Sequence, residues 1–237
     1  NKAEVHGLIY TKESTILELL ARPLPAVFTP AEVHEFERRV RNLILFDHVD
    51  VSVKDGLLSV EVHEKITLAP ILNFTSGSSL QDLNATVGVV EYNIGGTGTQ
   101  VGGQFNYSQR GLNVEAWIGQ HAFHPTRWAK EADISYNANG IRFSDSTTKW
   151  DRRRFGSEVE VKGPYSFNSP LRYEIVFKGY RELIEDAPGS HPPNGYFIGI
   201  APELTWDRYK WHDLVPSGYR IALGLRPGYF LGPKQNR

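Results

Sequence analysis

A glycine-rich stretch in the middle of the chain has the residue types of a phosphate-binding loop. It reads Gly95-Gly96-Thr97-Gly98. A phosphate loop of this kind continues with Lys and Ser or Thr and opens a helix. Here no such pair follows, and the next residues alternate between polar and apolar like a strand. We therefore expect a β-turn at this position.

A second group, Asp47, His48 and Asp50, contains side chains that bind metals. They straddle the predicted end of a helix and start of a strand, so we interpret them as solvated strand-edge residues and predict no metal site. The chain has no cysteine, which excludes a disulfide scaffold, a thiolate metal site and a cysteine nucleophile. It also has no Gly-x-Ser-x-Gly nucleophile elbow. We predict no catalytic residue, no cofactor and no enzymatic activity in these residues.

A third group, Arg152, Arg153 and Arg154, follows Trp150 at the start of an alternating run. Arginines beside a tryptophan suit the phosphates of a membrane interface, and a solvated loop is the alternative. Further tryptophans gather near the ends of alternating runs. The predicted lipid-interface residues are Trp128, Trp150, Arg152, Arg153, Arg154, Trp206 and Trp211.

The net charge of -1 gives no electrostatic reason to expect a nucleic-acid partner. No apolar run approaches the roughly 18 residues of a spanning helix, so a helical membrane protein is excluded. Strands that cross a membrane are not, because they are only half apolar. Methionine is absent even at position 1, and we expect the chain to begin after a removed signal or at a boundary.

The first 65 or so residues mix strand and helix signals. Residues 5–10 form a β-rich run, and residues 12–21 place Ile16, Leu17 and Leu20 on one helical face. A second helix begins with a capping-box pattern, with Thr29 as N-cap, Pro30 at the first position and Glu32 three residues on. Its apolar stripe is Val33, Phe36, Val40 and Leu43.

A β-hairpin follows, because Asp55-Gly56 separates two alternating runs. Its predicted register pairs Val53 with Leu58, Val51 with Val60, and Val49 with Val62. A slip by one residue would destroy this match of apolar residues on one face. The predicted order is β-α-α-β-β, a small sheet with one face covered by two helices.

From about Ala69 onward the helical period gives way to about nine alternating runs. Their lengths, roughly nine to fourteen residues, fit tilted strands that cross a hydrocarbon layer. A soluble β-sandwich alternates in the same way, but its strands are usually only five or six residues long. The pattern favours a transmembrane barrel over the sandwich.

Three segments resemble the outer-membrane assembly-factor superfamily, whose members include BamA and TamA. They are "FTPAEVHEFERRVRNLILFDHVDVSV", the turn Asn93-Ile94-Gly95-Gly96-Thr97-Gly98, which looks like the family's "N-x-G-x-G" turn, and the final "PSGYRIALGLRPGYFLG". The resemblance implies an α+β POTRA domain over residues 1–67. It implies all-β antiparallel strands of a transmembrane β-barrel over residues 68–237.

The family's Arg-Gly-aromatic loop tip and its closing C-terminal strand are absent from the sequence. We therefore expect a partial barrel, with about nine of the sixteen strands that the resemblance implies. A continuation of this chain or a second polypeptide would complete it.

The resemblance implies a bacterial outer-membrane protein with a periplasmic POTRA domain, an organellar outer membrane being the alternative. It would insert or translocate unfolded outer-membrane or secreted client proteins, with accessory lipoproteins as further partners. The alternatives are a carrier of a patatin-like phospholipase encoded upstream and a secretion pore dedicated to one partner. Clients would bind by β-augmentation at the edge strand His48, Val49, Asp50, Val51, Ser52, Val53 and Lys54. The barrel would part at a weak seam of Pro70, Ile71, Leu72, Asn73, Phe74, Thr75 and Ser76.

Overall fold

The chain forms two compact units in a computed structural model. Unit 1 consists of Asn1–Ala69 and Val90–Val101, and unit 2 of Pro70–Val89 and Gly102–Arg237. The structure describes residues 2–20, 22–76, 83–108, 111–120, 129–142, 149–164, 170–185, 194–208, 210–212 and 215–232. In those residues no helix has both the length and the apolar character needed to cross a bilayer.

Unit 1 has the β-α-α-β-β order predicted from the sequence. Its elements are β1 (Lys2–His6), α1 (Glu13–Leu17), α2 (Pro30–Arg41), β2 (Phe46–Lys54) and β3 (Leu57–Glu64). The three strands form one sheet in the order β1-β3-β2. β1 pairs with β3 in parallel, and β2 pairs with β3 antiparallel.

The capping box predicted for α2 is confirmed. The backbone N–H of Glu32 donates to Thr29 Oγ1 at 3.3 Å, and the N–H of Thr29 donates to the Glu32 carboxylate at 2.9 Å. Pro30 occupies the first helical position, where its missing N–H costs nothing because that group has no helical partner. Phe36 and Val40 then lie in the core.

The hairpin register is also confirmed, with Val53 opposite Leu58, Val51 opposite Val60 and Val49 opposite Val62. The apolar side of this hairpin packs against both helices in a single core. The buried members are Ile16, Leu19, Leu20, Phe36, Val40, Leu45, Phe46, Val49, Val51, Leu58, Val60 and Val62.

Two predicted boundaries in unit 1 are wrong. The first strand is Lys2–His6 instead of residues 5–10, because Gly7 turns the chain at a φ of 87° and lies against the carbonyl of Val62. The first helix is Glu13–Leu17 instead of residues 12–21. Turns replace its second half, where Leu19 and Leu20 still reach the core.

A ten-stranded sheet accounts for most of the remaining residues. Its strands are β4 (Leu68–Thr75), β5 (Asn84–Ile94), β6 (Thr99–Ser108), β7 (Gly111–Gln120), β8 (Ala129–Arg142), β9 (Lys149–Pro164), β10 (Leu171–Glu185), β11 (Gly195–Asp207), β14 (Arg220–Gly224) and β15 (Gly228–Leu231). β12 (Lys210–His212) and β13 (Val215–Ser217) form a separate pair. The alternating runs predicted as long strands are confirmed as neighbours in order from β4 to β11.

The last of the alternating runs in the sequence, residues 218–230, is divided into β14 and β15. Both strands pair with β11 in one continuous register, since Glu203 faces Gly224 and Gly199 faces Gly228. In that register Pro202 lies opposite Leu225, and Pro227 opposite Ile200. Leu225 donates to the Pro202 carbonyl and Ile200 to the Pro227 carbonyl, both at 3.0 Å. The return bonds are missing because proline has no N–H, which interrupts the ladder.

The sheet does not close on itself within the described residues. β4 lies at one end of the strand order, and β14 with β15 lies at the other. The expectation of a partial barrel agrees with this open order of strands.

Candidate edge strands and membrane-facing surface

The predicted client-binding residues 48–54 all belong to β2, which has β3 on one side and is the outer strand of its sheet. Asp55 and Gly56 both have positive φ, 49° and 78°, as a two-residue type I′ turn requires. In such a hairpin the closing pair exchanges both backbone hydrogen bonds, and every second pair repeats this. The closing pair is Lys54 with Leu57.

Hydrogen-bonded and non-hydrogen-bonded pairs alternate along the hairpin from Lys54 and Leu57. This alternation determines which backbone groups of β2 face the open edge. Ser52 and Asp50 direct their N–H and C=O groups towards β3, whereas Val53, Val51 and Val49 direct theirs outwards. The outward carbonyl of Val49 accepts a hydrogen bond from Arg41 Nη2 at 2.8 Å. The part of the edge that Arg41 leaves accessible therefore runs from Val51 to Val53.

The predicted seam residues 70–76 lie in β4, except Ser76, which follows the strand. β4 has β5 as its neighbour and forms one end of the large sheet. Pro70 cannot donate a ladder hydrogen bond. Leu72 and Phe74 point to the same side of the strand and are both well exposed.

One face of the large sheet is apolar and exposed. On β10 and β11 the register brings Phe177 opposite Ile200 and Tyr173 opposite Leu204. β8 and β9 continue this face with Tyr136 opposite Phe155. Its most exposed large side chains on β7 to β11 are Val114, Ile118, Ile134, Phe155, Val159, Phe177, Tyr196, Ile198, Ile200, Leu204 and Trp206. Soluble monomers rarely expose so broad an apolar surface.

The opposite face is polar and carries cross-strand ion pairs. Arg154 Nη2 lies 2.6 Å from the Glu182 carboxylate, and its guanidinium carbon stands 4.0 Å from the centre of the Tyr180 ring. Lys178 pairs with Glu158 on the neighbouring strand. Arg154 and Lys178 are therefore each paired with a carboxylate on the neighbouring strand.

A cavity of about 340 Å³ opens on this polar face beside the interrupted ladder. Glu158, Glu174, Lys178 and Glu203 contribute charged groups to its wall, and Pro227 is also part of it. Three carboxylates therefore line the cavity next to the position where the hydrogen-bond ladder between β11 and its neighbours β14 and β15 is interrupted.

The predicted lipid-interface residues fall into several environments. Trp206 lies exposed on the apolar face, in the same alternation as Leu204. Arg153 alternates with Phe155 on that face, whereas Arg152 and Arg154 alternate to the polar face. The guanidinium of Arg154 donates to the Glu182 carboxylate. The interface role of the three arginines stays a prediction.

Three predicted interface tryptophans have no described side chain. Trp128 lies outside the described residues, while the backbones of Trp150 and Trp211 belong to β9 and β12. Their interface role stays a prediction.

The three candidate metal ligands do not converge. Asp47 Oδ1 lies 2.7 Å from Nδ1 of His63 on the neighbouring strand, instead of joining His48 and Asp50. In the described part of the chain, no group of three or more His, Asp or Glu side chains is arranged to hold a metal ion.

The glycine-rich stretch forms a turn between β5 and β6, as predicted, and it is anchored within unit 1. The carbonyl of Gly96 accepts hydrogen bonds from the Lys12 N–H and from Thr15 Oγ1, both at 2.8 Å. Asn93, only 1% exposed, donates from Nδ2 to Thr11 Oγ1 at 2.9 Å. Sequence reasoning missed these contacts, although the "N-x-G-x-G" pattern marks the residues that make them.

Glu64 fixes the loop between β1 and α1. Its carboxylate accepts the N–H groups of Tyr10 at 3.0 Å and of Thr11 at 2.8 Å. Burial raises the pKa of Glu64, but the hydrogen bonds from Thr11, Tyr10 and Ile9 outweigh it, so the pKa lies below its usual value. Glu64 therefore holds this loop as a carboxylate.

Glu35 on α2 is held ionised by two arginines. The guanidinium of Arg38 donates two hydrogen bonds of 2.8 Å to its carboxylate, and Arg39 Nε donates a third at 2.9 Å. The hydrogen bonds from Arg38 and Arg39 lower the pKa of Glu35 to about 2, against the opposing effect of burial. The buried Arg39 also donates to the carbonyl of Leu19 at 3.2 Å, which ties α2 to the turns after α1.

The sequence matches no family model and no curated protein, but the fold has solved counterparts. The crystal structure of BamA from Haemophilus ducreyi lacking POTRA domains 1–3 superimposes with a TM-score of 0.73 at 14% identity, over 95% of this chain and 48% of that one. CdiB from Acinetobacter baumannii superimposes with a TM-score of 0.54 at 10% identity, over 97% of this chain and 46% of that one.

The chain has the fold of the corresponding part of these two proteins. It spans about half the length of each of these proteins. The resemblance to the assembly-factor superfamily, predicted from three sequence segments, is confirmed at the level of the fold. At 14% and 10% identity the likeness speaks for the fold alone.

Proposed function

We propose that the chain comprises a periplasmic POTRA domain and the first barrel strands of a bacterial outer-membrane protein that inserts or translocates unfolded clients. Unit 1 is the POTRA domain in this proposal, and the exposed apolar sheet face contacts lipid. The observation that carries the proposal is that β2 has an open edge. The unit that contains β2 is followed in the chain by a sheet with an exposed apolar face. The fold shared with BamA supports it.

Clients bind in extended form along β2. The outward N–H and C=O groups of Val51 and Val53 offer a backbone ladder that any sequence can match. The side chains of Asp50 and Ser52 lie on the solvent side of the hairpin, so the edge imposes little preference on the client. Arg41 limits the ladder at Val49, and a client that extends this far must displace it.

A proline at position 53 tests this mode of binding. The N–H of Val53 points outwards, so Val53→Pro removes a group that a client needs and no bond of the β2–β3 ladder. Val53→Ala keeps the N–H and is the matched control. We expect a several-fold loss of client insertion into vesicles with Val53→Pro and near-normal insertion with Val53→Ala. Equal activities of the two variants, with β2 and β3 amides still protected from exchange, would exclude augmentation at this edge.

The edge of β4 receives the client strand as it enters the sheet. β4 pairs on one side within the described residues, and Pro70 weakens any ladder on the other. A photo-crosslinking residue at Leu72 should capture a client during insertion. The same residue at Ile134, equally apolar and exposed but on the central strand β8, should not. Capture at both positions or at neither would remove lateral opening at β4 from the proposal.

The strands that close the barrel come from a continuation of the chain or from a second polypeptide. An open sheet edge in hydrocarbon leaves backbone groups unpaired, each at a cost of several kcal/mol. Two such edges are present in the described sheet. The subunit composition of the purified membrane-embedded assembly distinguishes the two sources.

A second candidate function, a pore dedicated to one secreted partner, draws on the likeness to CdiB. Insertion of several unrelated barrel clients by the purified protein would support assembly, whereas activity towards a single partner would support the dedicated pore.

A further inference from the structure

Two of the most exposed apolar side chains in the described residues belong to unit 1. Ile9 is 85% exposed and Ile66 is 87% exposed. The backbone N–H groups of Tyr10 and Thr11 donate hydrogen bonds to the Glu64 carboxylate, which holds the loop that contains Ile9 against Glu64. Ile66 follows Glu64 by two residues in the chain. We call Ile9, Tyr10 and Ile66 the collar.

The collar is held in place by backbone contacts. Glu64 fixes the loop from one side, and the hydroxyl of Tyr10 accepts the N–H of Gly95 at 2.9 Å. The N–H of Lys65 donates to the carbonyl of Leu45 at 3.1 Å, immediately before Ile66. These anchors keep Ile9 and Ile66 on the surface, where each exposes apolar area that it cannot withdraw into the core.

The apolar face of β4 continues into the collar. Leu68, Leu72 and Phe74 alternate on one exposed face of this strand. The N–H of Tyr92 donates to the Thr67 carbonyl at 3.1 Å, so extended pairing reaches beyond the first residue of β4. Ile66 therefore occupies the next position of the same alternation. Ile66 and Leu68 therefore lie on one exposed side of the chain within unit 1.

The chemistry of the collar matches the zone between hydrocarbon and water. Tyrosine is enriched there because its ring is apolar and its hydroxyl polar. Lysine side chains extend from that zone to reach phosphates. Exposed Lys12 and Lys65 lie within two residues of Tyr10 and next to Ile66, respectively.

We infer that the collar is a membrane-binding surface of unit 1, with Ile9 and Ile66 in the interfacial layer of a phospholipid bilayer and Lys12 and Lys65 at the headgroup phosphates. This inference rests on the proposed outer-membrane function, because it needs the bilayer that the strands cross. It extends lipid contact from the strands to the domain that receives clients.

Site-specific fluorescence in vesicles tests this inference, and the absence of native cysteine in the chain makes it direct. Single variants Ile9→Cys and Ile66→Cys of the full chain carry an environment-sensitive dye. Quenchers sit on lipid acyl chains at a shallow or a deep position. Val27→Cys is the matched control, since Val27 is an apolar residue of unit 1 with 78% exposure. Phe177→Cys reports on the strand face.

We expect dyes at positions 9 and 66 to be quenched by the shallow label, the dye at 177 by the deep label, and the dye at 27 by neither. Quenching at 177 together with no quenching at 9 and 66 would overturn the collar and leave the membrane placement of the strands intact. Shielding of 9 and 66 without lipid quenching would also overturn it, because a protein surface would then cover the collar. Absence of quenching at 177 would overturn both the collar and the proposed function.

Charge substitution supplies an independent readout. Lys12→Gln with Lys65→Gln should reduce shallow quenching at position 66 in vesicles with anionic phospholipid, and much less in neutral vesicles. Equal quenching with and without these lysines in anionic vesicles would exclude their contact with headgroup phosphates.

Discussion

The side-chain amide of Asn93 donates a hydrogen bond of 2.9 Å to the hydroxyl of Thr11, 82 positions away in sequence. The Oδ1 atom of the same amide accepts the N–H of Gly98 at 2.8 Å. Asn93 and Thr11 are both buried, so neither can exchange its partner for water. Removal of one partner leaves the other unsatisfied at a cost of about 1–3 kcal/mol.

A double-mutant cycle on this pair measures how strongly the turn is coupled to the loop before α1. Thr11→Val and Asn93→Ala should each lower the free energy of opening of unit 1. Together they should cost less than the sum of the two, by about 1 kcal/mol. Native-state hydrogen exchange of unit 1 amides gives the three values. Strict additivity would mean that the hydrogen bond contributes nothing.

The two glycines of the turn should differ sharply when replaced by alanine. Gly95 has a φ of 65°, and a Cβ added there would have no atom within 4 Å, so Gly95→Ala adds only left-handed strain, roughly 1–2 kcal/mol. At Gly96 a Cβ would lie 2.3 Å from the Tyr10 carbonyl oxygen. Gly96→Ala should therefore also break the hydrogen bonds that the Gly96 carbonyl accepts from the Lys12 N–H and from Thr15 Oγ1. The exchange rate of the Lys12 amide, which donates to the Gly96 carbonyl, compares the variants, and equal effects would contradict the close contact.

A charge in the centre of the small sheet tests the hairpin register. Val60 is fully buried between Val5 and Val51, so Val60→Asp should destabilise unit 1 by more than about 3 kcal/mol. Ser52→Asp places the same charge on the opposite face of the hairpin and should have a small effect. Exchange protection of β2 and β3 amides in the full chain measures both. Similar protection in the two variants would contradict the register.

Acid should weaken unit 1 through Glu35. A carboxylate whose pKa is lowered on folding stabilises the folded state above its unfolded pKa and loses that contribution as the pH falls towards the folded pKa. For Glu35 this window runs from 4.5 down to about 2. Glu35→Gln should therefore lower the melting temperature above pH 4.5, where Arg39 loses its charged partner, and the difference from wild type should vanish near pH 2. A difference in melting temperature that persists near pH 2 would exclude the ionisation of Glu35 as its cause.

Local patterns predicted most of the fold because their causes are local. Thr29 and Glu32 lie one helical turn apart, and Asp55-Gly56 determines the register of the residues on both sides. Alternation likewise identified the long strands, since successive side chains point to opposite faces. Each of these features depends on neighbours within a few residues.

The remaining features depend on partners far away in sequence. The end of β1 follows from the carbonyl of Val62 beside Gly7, and the partial capping of the β2 edge follows from Arg41. The division between β14 and β15 arises because Pro202 and Pro227 both fall in hydrogen-bonded positions of one register. No pattern within a single segment predicts contacts between residues so far apart in sequence. They can be derived only once the topology is known.

The parallel pairing of β1 with β3 determines when the small sheet can be completed. β1 is made first, but its partner is the last strand of the β-α-α-β-β order. Closing so long a loop is slow, so we expect the β2–β3 hairpin to form first and β1 to dock last, as pulsed hydrogen exchange during refolding would detect. Until β1 arrives, the second edge of β3 is also open to extended chains. During biogenesis unit 1 must therefore recruit β1 before a foreign strand occupies that place.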